Sequence, residues 1–287
     1  MKPYLSVLGL FHLPTYGMFV ATGILVGTWL ATRLARRAQL PEGFALDAVF
    51  YVVLAGLAGG RLTYMAIEWR ATLRDPVAAL FNSGGMVFLG GFFCGLAALY
   101  AYCRFKKVPF ALVADVFAPA VALAHCFGRI GCLFAGCCYG APAHGWLGHL
   151  IAIRYPRLTG PDGAITGSWP YLDHLEQGWV TTADAYSLPV YATPILEALF
   201  NLGLAAALLW LWRRRRFDGH IALVYVMAYS VARFLLEFLR GDQIRGFFGA
   251  LSTSQWLSLF ALAGAFAIYW RRQASARAAT NNDPCNT

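Results

Sequence analysis

The chain has 287 residues, of which 59% are hydrophobic and only 13% charged. A soluble protein carries about 25% charged residues, so this balance and a mean hydropathy of +0.55 exclude an ordinary soluble domain. The formal charge of +9 falls between apolar runs, which reads as membrane topology and not as nucleic-acid binding.

Seven apolar runs follow in order, near residues 16–31, 44–67, 86–102, from 111 into the stretch 125–140, then 194–212, 221–239 and 251–270. Each approaches the roughly 20 residues needed to span a bilayer. The expected fold is therefore all-α: a polytopic integral membrane protein with about seven transmembrane helices around a central cavity. The first run lacks a basic leader and a small-residue cleavage site, so no cleaved signal peptide is expected. Basic clusters follow the odd-numbered runs: Arg33, Arg36 and Arg37; Arg104, Lys106 and Lys107; Arg213 to Arg216; Arg271 and Arg272. By the positive-inside rule these are cytoplasmic. The N-terminus and the polar segment 141–190, between helices 4 and 5, are then external. The expected division is a membrane domain over 1–272 and a disordered cytoplasmic tail over 273–287.

The least generic stretch is 125–140, HCFGRIGCLFAGCCYG. It carries one charge, Arg129, between Gly128 and Gly131. Three arginines, Arg61, Arg129 and Arg233, lie within or at the edge of apolar runs and serve no topological purpose. The ordinary alternative is snorkelling to the interface, but intramembrane charges usually mark function. Guanidinium forks suit phosphate and carboxylate, so arginines converging from several helices would make an anionic headgroup site. Arg233, Glu237 and Arg240 are spaced i, i+4, i+7 and are expected on one helix face, with Asp242 just beyond Arg240. Glu197 follows Pro194 in the fifth run, placed to order an arginine or to act as a base.

Cys132, Cys137 and Cys138 could form a disulfide, bind a metal or act as nucleophiles. Their spacing matches no zinc pattern. They are expected to be small apolar fillers or to hold one structural disulfide; no metal and no cofactor is expected. Cys94, Cys103 and Cys126 read as buried thiols.

The stretch Gly128-Arg129-x-Gly131 with Gly140 resembles the signature G-R-x-G-N-F-x-N-x-E-x-x-G of the prolipoprotein diacylglyceryl transferases, bacterial membrane enzymes. The resemblance covers most of the chain. It includes Tyr16-Gly17, Gly59-Gly60-Arg61 with Tyr64, Gly84-Gly85-Met86 before Gly90-Gly91, and Asp115. Further on it takes in Thr193-Pro194-Ile-Leu-Glu197, Arg233 to Asp242, and Ser252 with Gln255 and Ser258. The chain departs from the pattern at Leu89, where the family often has His, at Tyr191-Ala192 for His-Pro, and at the cysteines that stand among the signature's polar residues. The resemblance implies transfer of a diacylglyceryl group from phosphatidylglycerol to the lipobox cysteine of a prolipoprotein signal peptide, releasing glycerol phosphate, in the bacterial inner membrane.

On that reading Arg129, Arg233, Tyr16 and Glu197 are the catalytic candidates. Arg61, Tyr64, Gly90, Gly91, Gly128, Gly131, Glu237 and Arg240 are the substrate-binding ones. The partners would be phosphatidylglycerol, prolipoprotein and membrane lipid, and no nucleic acid. Two other classes fit parts of the pattern. A silent relative that binds lipid or peptide would suit Leu89 and Tyr191-Ala192. A transporter of anionic solutes would suit the arginines but not the lack of an internal repeat.

Overall fold

The computed structural model describes residues 4–7, 11–81, 85–159, 165–241 and 246–281. Gly84 and Asp242, named above, lie outside them. The chain divides into two compact units, one of residues 28–116 and one formed by 1–27 together with the chain from 117 onward.

In chain order, a hairpin of β1 (Tyr4–Val7) and β2 (Phe11–Pro14) pairs Tyr4 with Pro14 and leads into α1 (Thr15–Arg37). Arg36 and Arg37 fall in the last turn of α1, where cations favour the negative end of the helix dipole. Next come α2 (Phe44–Ile67), two short helices, α3 (Trp69–Arg74) and α4 (Pro76–Phe81), and α5 (Phe88–Phe105).

The 28–116 unit is built on the pairing of α2 with α5. Its glycines let the backbones approach as small residues do in membrane helix pairs. A Cβ on Gly90 would meet the Thr63 side chain and the Gly59 carbonyl oxygen at 2.8 Å, and one on Gly91 would meet the Gly56 carbonyl oxygen at 2.8 Å. Gly90 and Gly91, expected in substrate binding, are therefore filled by α2. At the far end the Tyr102 hydroxyl donates to Asp47 Oδ2 at 2.8 Å, and Phe44 and Tyr51 tilt against the Tyr102 ring. Cys94 on α5 is exposed, unlike the buried Cys103. The expectation of a buried thiol fails in exposure alone, because Cys94 lies against α2 and takes the space a Gly59 side chain would need.

The fourth span, α6 (Phe110–Ala135), enters the other unit at Phe117. Among its described residues the polar segment after it has no spanning helix. It holds α7 (Gly145–Ile151), β3 (Ala152–Ile153), β4 (Arg157–Thr159), β5 (Ile165–Gly167), α8 (Trp169–Glu176) and β6 (Val190–Tyr191). β3 pairs with β6 and β4 with β5, all antiparallel. Tyr139, Tyr155 and Val190 form its small core with Ile153. His174 is buried against Trp179, and its Nδ1 accepts the Leu188 N–H at 3.2 Å.

Then come α9 (Thr193–Leu211) and α10 (His220–Leu236), whose entry is turned by Gly219 at φ 97°. The hairpin β7 (Phe247–Phe248) and β8 (Leu251–Ser252) leads into α11 (Thr253–Asn281). Ser252 and Gln255 cap that helix reciprocally: Ser252 N–H donates to Gln255 Oε1 (2.9 Å) and Gln255 N–H to Ser252 Oγ (3.3 Å), as a capping box does. α11 continues to Asn281, so residues 273–281, expected as disordered tail, are helical. Among the described residues six helices are long and apolar enough to cross a membrane: α1, α2, α5, α6, α9 and α10, the last two with the short 3-10 turns that follow them.

Candidate functional site

The site grows from the end of α6. Gly136, at φ 71°, ends the helix, and Cys137 N–H returns to the Cys132 carbonyl at 3.1 Å, the closure of a Schellman motif. The chain then meets the segments before α9 and after α10 backbone to backbone. Gly140 N–H donates to Tyr191 O (3.0 Å), Ala141 N–H to Leu239 O (2.8 Å) and Gly241 N–H to Tyr139 O (3.2 Å). A Cβ on Gly140 would lie 2.5 Å from Tyr191 O and one on Gly241 2.6 Å from Ala141 Cα, so neither position has room for a side chain. Thr193 Oγ1 adds a bond to Cys138 O at 2.7 Å. This junction sets the ends of α6, α9 and α10 side by side.

Three helices then converge on one carboxylate. Arg129 Nη2 lies 2.9 Å from Glu197 Oε1, and the Tyr229 hydroxyl donates to the same oxygen at 3.0 Å. Arg129 Nε donates to His125 Nε2 at 3.1 Å. His125 Nε2 is also 3.7 Å from Glu197 Oε1. It offers a lone pair to Arg129, however, so it braces the guanidinium and does not form an ion pair. One turn along α9 the fully buried Asn201 donates to the Glu197 carbonyl at 2.8 Å. These contacts use the Nε and Nη2 edge of Arg129; Nη1 takes no part in them. Glu197 is 3% exposed, and a carboxylate buried so deeply needs its partners.

Arg233 lies one turn from Tyr229 on α10, and the charges of Arg129 and Arg233 both act on Tyr229. Arg233 Nη2 pairs with Glu237 Oε2 at 2.9 Å and reaches Ser254 Oγ at 3.4 Å. Its Nη1 is buried without a hydrogen-bond partner. The expected face Arg233, Glu237, Arg240 is broken after its second member. α10 ends at Leu236, a 3-10 turn covers Glu237–Leu239, and Arg240 is extended, bridging Gly140.

The other expected residues divide by role. A Cβ on Gly131 would sit 3.1 Å from Phe19 Cβ and 3.2 Å from Tyr16 Cδ2, so Gly131 lets α1 approach α6. Gly128 faces open space and keeps room beside Arg129. Tyr16 is about half exposed and lies in the field of Arg129 and the three neighbouring thiols. In the 28–116 unit, Arg61 donates to the carbonyls of Gly85 (2.8 Å) and Ala79, and Tyr64 fills the space a Gly85 side chain would need. Arg61 thus ties α4 and Gly85, just before α5, back to α2.

His125 and Tyr229 were not foreseen. His125 stands one turn before Arg129, at i−4, and that spacing was the available signal. Cys132, Cys137 and Cys138 are free thiols with their sulfurs all within 4.8 Å of one another. Hydrogen bonds from the Cys132 and Cys137 thiols, and then the charges of Arg129 and Arg240, hold the Cys138 thiol well below its ordinary range against the opposing effect of burial. Hydrogen bonds with Cys132 and Cys138 push Cys137 up.

Spanning helices that pack around a buried guanidinium–carboxylate centre define a polytopic membrane protein with a polar site inside its apolar frame. The family model described as prolipoprotein diacylglyceryl transferase matches residues 3–271. Among similar curated proteins, one from Clostridium perfringens (strain 13 / Type A) is named phosphatidylglycerol–prolipoprotein diacylglyceryl transferase 2. It is 33% identical over 256 residues, 89% of each chain. Proteins named phosphatidylglycerol–prolipoprotein diacylglyceryl transferase from Clostridium tetani (strain Massachusetts / E88) and Gloeobacter violaceus (strain ATCC 29082 / PCC 7421) are 31% and 30% identical. They align over 91% and 96% of this chain and 94% of each relative. The chain belongs to the prolipoprotein diacylglyceryl transferase family.

Proposed function

We propose that this chain transfers the diacylglyceryl group of phosphatidylglycerol to the lipobox cysteine of a prolipoprotein, with Arg129 and Arg233 holding the phosphate. The observation that carries the assignment is the buried Nη1 of Arg233, a cationic donor without an acceptor, on the helix face that also presents Tyr229 to Glu197 and Arg129. A buried guanidinium nitrogen calls for an anion.

In the reaction the substrate sulfur bonds to the glyceryl carbon, the bond from that carbon to the phosphate oxygen breaks, and glycerol phosphate leaves. Charge grows on the departing oxygen, where preorganised donors stabilise it most. Glu197 receives both Arg129 and Tyr229 on one oxygen, so its role is to position Arg129. The thiol proton then leaves with the glycerol phosphate, which balances the step without a protein base. Tyr16, beside Gly131, contacts the headgroup. Arg61, bound to backbone carbonyls, supports the fold of its own unit.

The same proposal places the protein in the bacterial inner membrane with α11 as the seventh span, the N-terminus and the 141–190 segment external and the C-terminus cytoplasmic. The alternating basic clusters support it. Glu176→Cys should label in intact cells and Ser275→Cys only after permeabilisation; the reverse pattern would invert the topology. For the reaction, purified protein should move label from phosphatidylglycerol to a lipobox peptide and rescue a strain depleted of its own transferase. A folded chain that binds the lipid but does neither would be a binding protein and no enzyme.

A further inference from the structure

The three thiols after Arg129 have no part in the transfer chemistry, yet the fold gathers them. They come from a linear spacing that suggests no metal site. The Schellman turn at Gly136 brings Cys137 back to the Cys132 carbonyl. Cys138 is then held at φ 58°, a left-handed conformation that costs a side-chain-bearing residue about 1–2 kcal/mol, with its carbonyl fixed by Thr193. The result is three sulfurs within 4.8 Å of one another. Ligands on one tetrahedral ion with bonds of about 2.3 Å sit roughly 3.8 Å apart.

A second observation comes from the core of the segment 141–190. Tyr155 is 1% exposed and its hydroxyl is buried without a hydrogen-bond partner. Its ring stands edge-on to that of Tyr139, the residue after Cys138, with centroids 6.5 Å apart. A phenol buried so fully ordinarily finds a partner.

We propose that Cys132, Cys137 and Cys138 are the ligands of a thiophilic divalent cation of the zinc class, with the Tyr155 oxygen as the fourth donor on the same ion. Charge decides for a divalent over a monovalent ion. Three thiolates and a divalent ion sum to one negative charge, in the neighbourhood of Arg240, whose backbone bridges Gly140 two residues after Cys138. A monovalent ion would leave a second negative charge in a buried place, at a large cost. Binding replaces the thiol protons with metal–sulfur bonds and releases those protons to solvent, with no change of oxidation state.

The test uses the full chain, reduced and purified in detergent, with Cd(II) as the probe. One equivalent should bind with an ultraviolet thiolate-to-metal charge-transfer band and with proton release, and Cd(II) should displace prebound Zn(II), since thiolates favour the softer ion. Cys132→Ser, Cys137→Ser and Cys138→Ser should each weaken binding by more than about tenfold, while Cys103→Ser leaves it unchanged. Tyr155→Phe keeps all the sulfurs, so it should retain the band and lose affinity; this variant guards against misfolding of the cysteine variants. Three results would overturn the site: no stoichiometric Cd(II) uptake, a band indifferent to all three serines, or mapping of native protein that finds two of these cysteines joined as a disulfide.

Discussion

In α2 the guanidinium of Arg61 donates to backbone carbonyls, those of Gly85 and Ala79. In α6 and α10, Arg129 and Arg233 are held by the side chains of Glu197, His125, Glu237 and Ser254. All three are arginines in apolar surroundings, and the residue type alone does not separate them. A carbonyl belongs to the fold and cannot leave without unmaking it, so an arginine bound to carbonyls is a tie. A hydroxyl at 3.4 Å can be exchanged for a better acceptor, so an arginine bound to side chains can take a ligand.

The sharpest way to break this contrast is at Glu197. Glu197→Ala leaves Arg129 buried without its carboxylate and should cost about 3–5 kcal/mol, read as a lower unfolding midpoint in detergent. Glu197→Gln, which still accepts a hydrogen bond, should cost less. An unchanged midpoint for Glu197→Ala would show that Arg129 is held by something else.

Next come the arginines themselves. Arg129→Lys and Arg233→Lys keep the charge and lose the fork, so each should lower kcat by about 10²- to 10³-fold, or roughly 3 kcal/mol in the transition state. Arg61→Lys should instead lower stability by about 1 kcal/mol, the value of one net hydrogen bond, with kcat almost unmoved. Loss of kcat in Arg61→Lys at full stability would move Arg61 into the site.

The glycines sharpen the contrast further. Gly90→Ala pushes a methyl into Thr63 and the Gly59 carbonyl and should cost about 1–3 kcal/mol. Gly128→Ala meets open space, so the midpoint should stay within about 0.5 kcal/mol while KM for the lipid rises.

The smallest effect is expected at His174. Burial pushes its pKa down, so the folded segment holds it neutral while the unfolded one titrates near 6.5. The unfolded state then binds more protons below about pH 6.5, and the stability present above that pH declines as pH falls toward the folded pKa. Limited proteolysis of the 141–190 segment should accelerate through that window and stay flat in His174→Gln.

Much of this was readable from the chain. Apolar runs located the six helices long and apolar enough to cross a membrane among the described residues, because bilayer thickness acts directly on sequence. The Arg233–Glu237 pair was readable too, because i, i+4 fixes neighbours on one helix. The Arg129–Glu197 pair was not, since it joins residues far apart in sequence through a packing that spacing does not encode. Arg240 was misplaced because α10 tightens into a 3-10 turn, and nothing in Glu237-Phe-Leu announces that. For the thiols, fillers or one structural disulfide is what linear spacing supports, and it hides that Gly136 turns the chain so that the three sulfurs gather within 4.8 Å.

The backbone junction of Tyr139 to Ala141 with Tyr191, Leu239 and Gly241 bears on how the chain can change over time. Bonds between main-chain atoms are indifferent to the side chains that flank them. Residues beside the junction, Cys138 and Ala192 among them, can therefore be exchanged while α6, α9 and α10 keep their relative stations. Gly140 and Gly241 are the exceptions, since the crossing occupies the space of their side chains. Relatives that share only about a third of their residues with this chain can thus present different chemistry at the lip of the site on one unaltered frame.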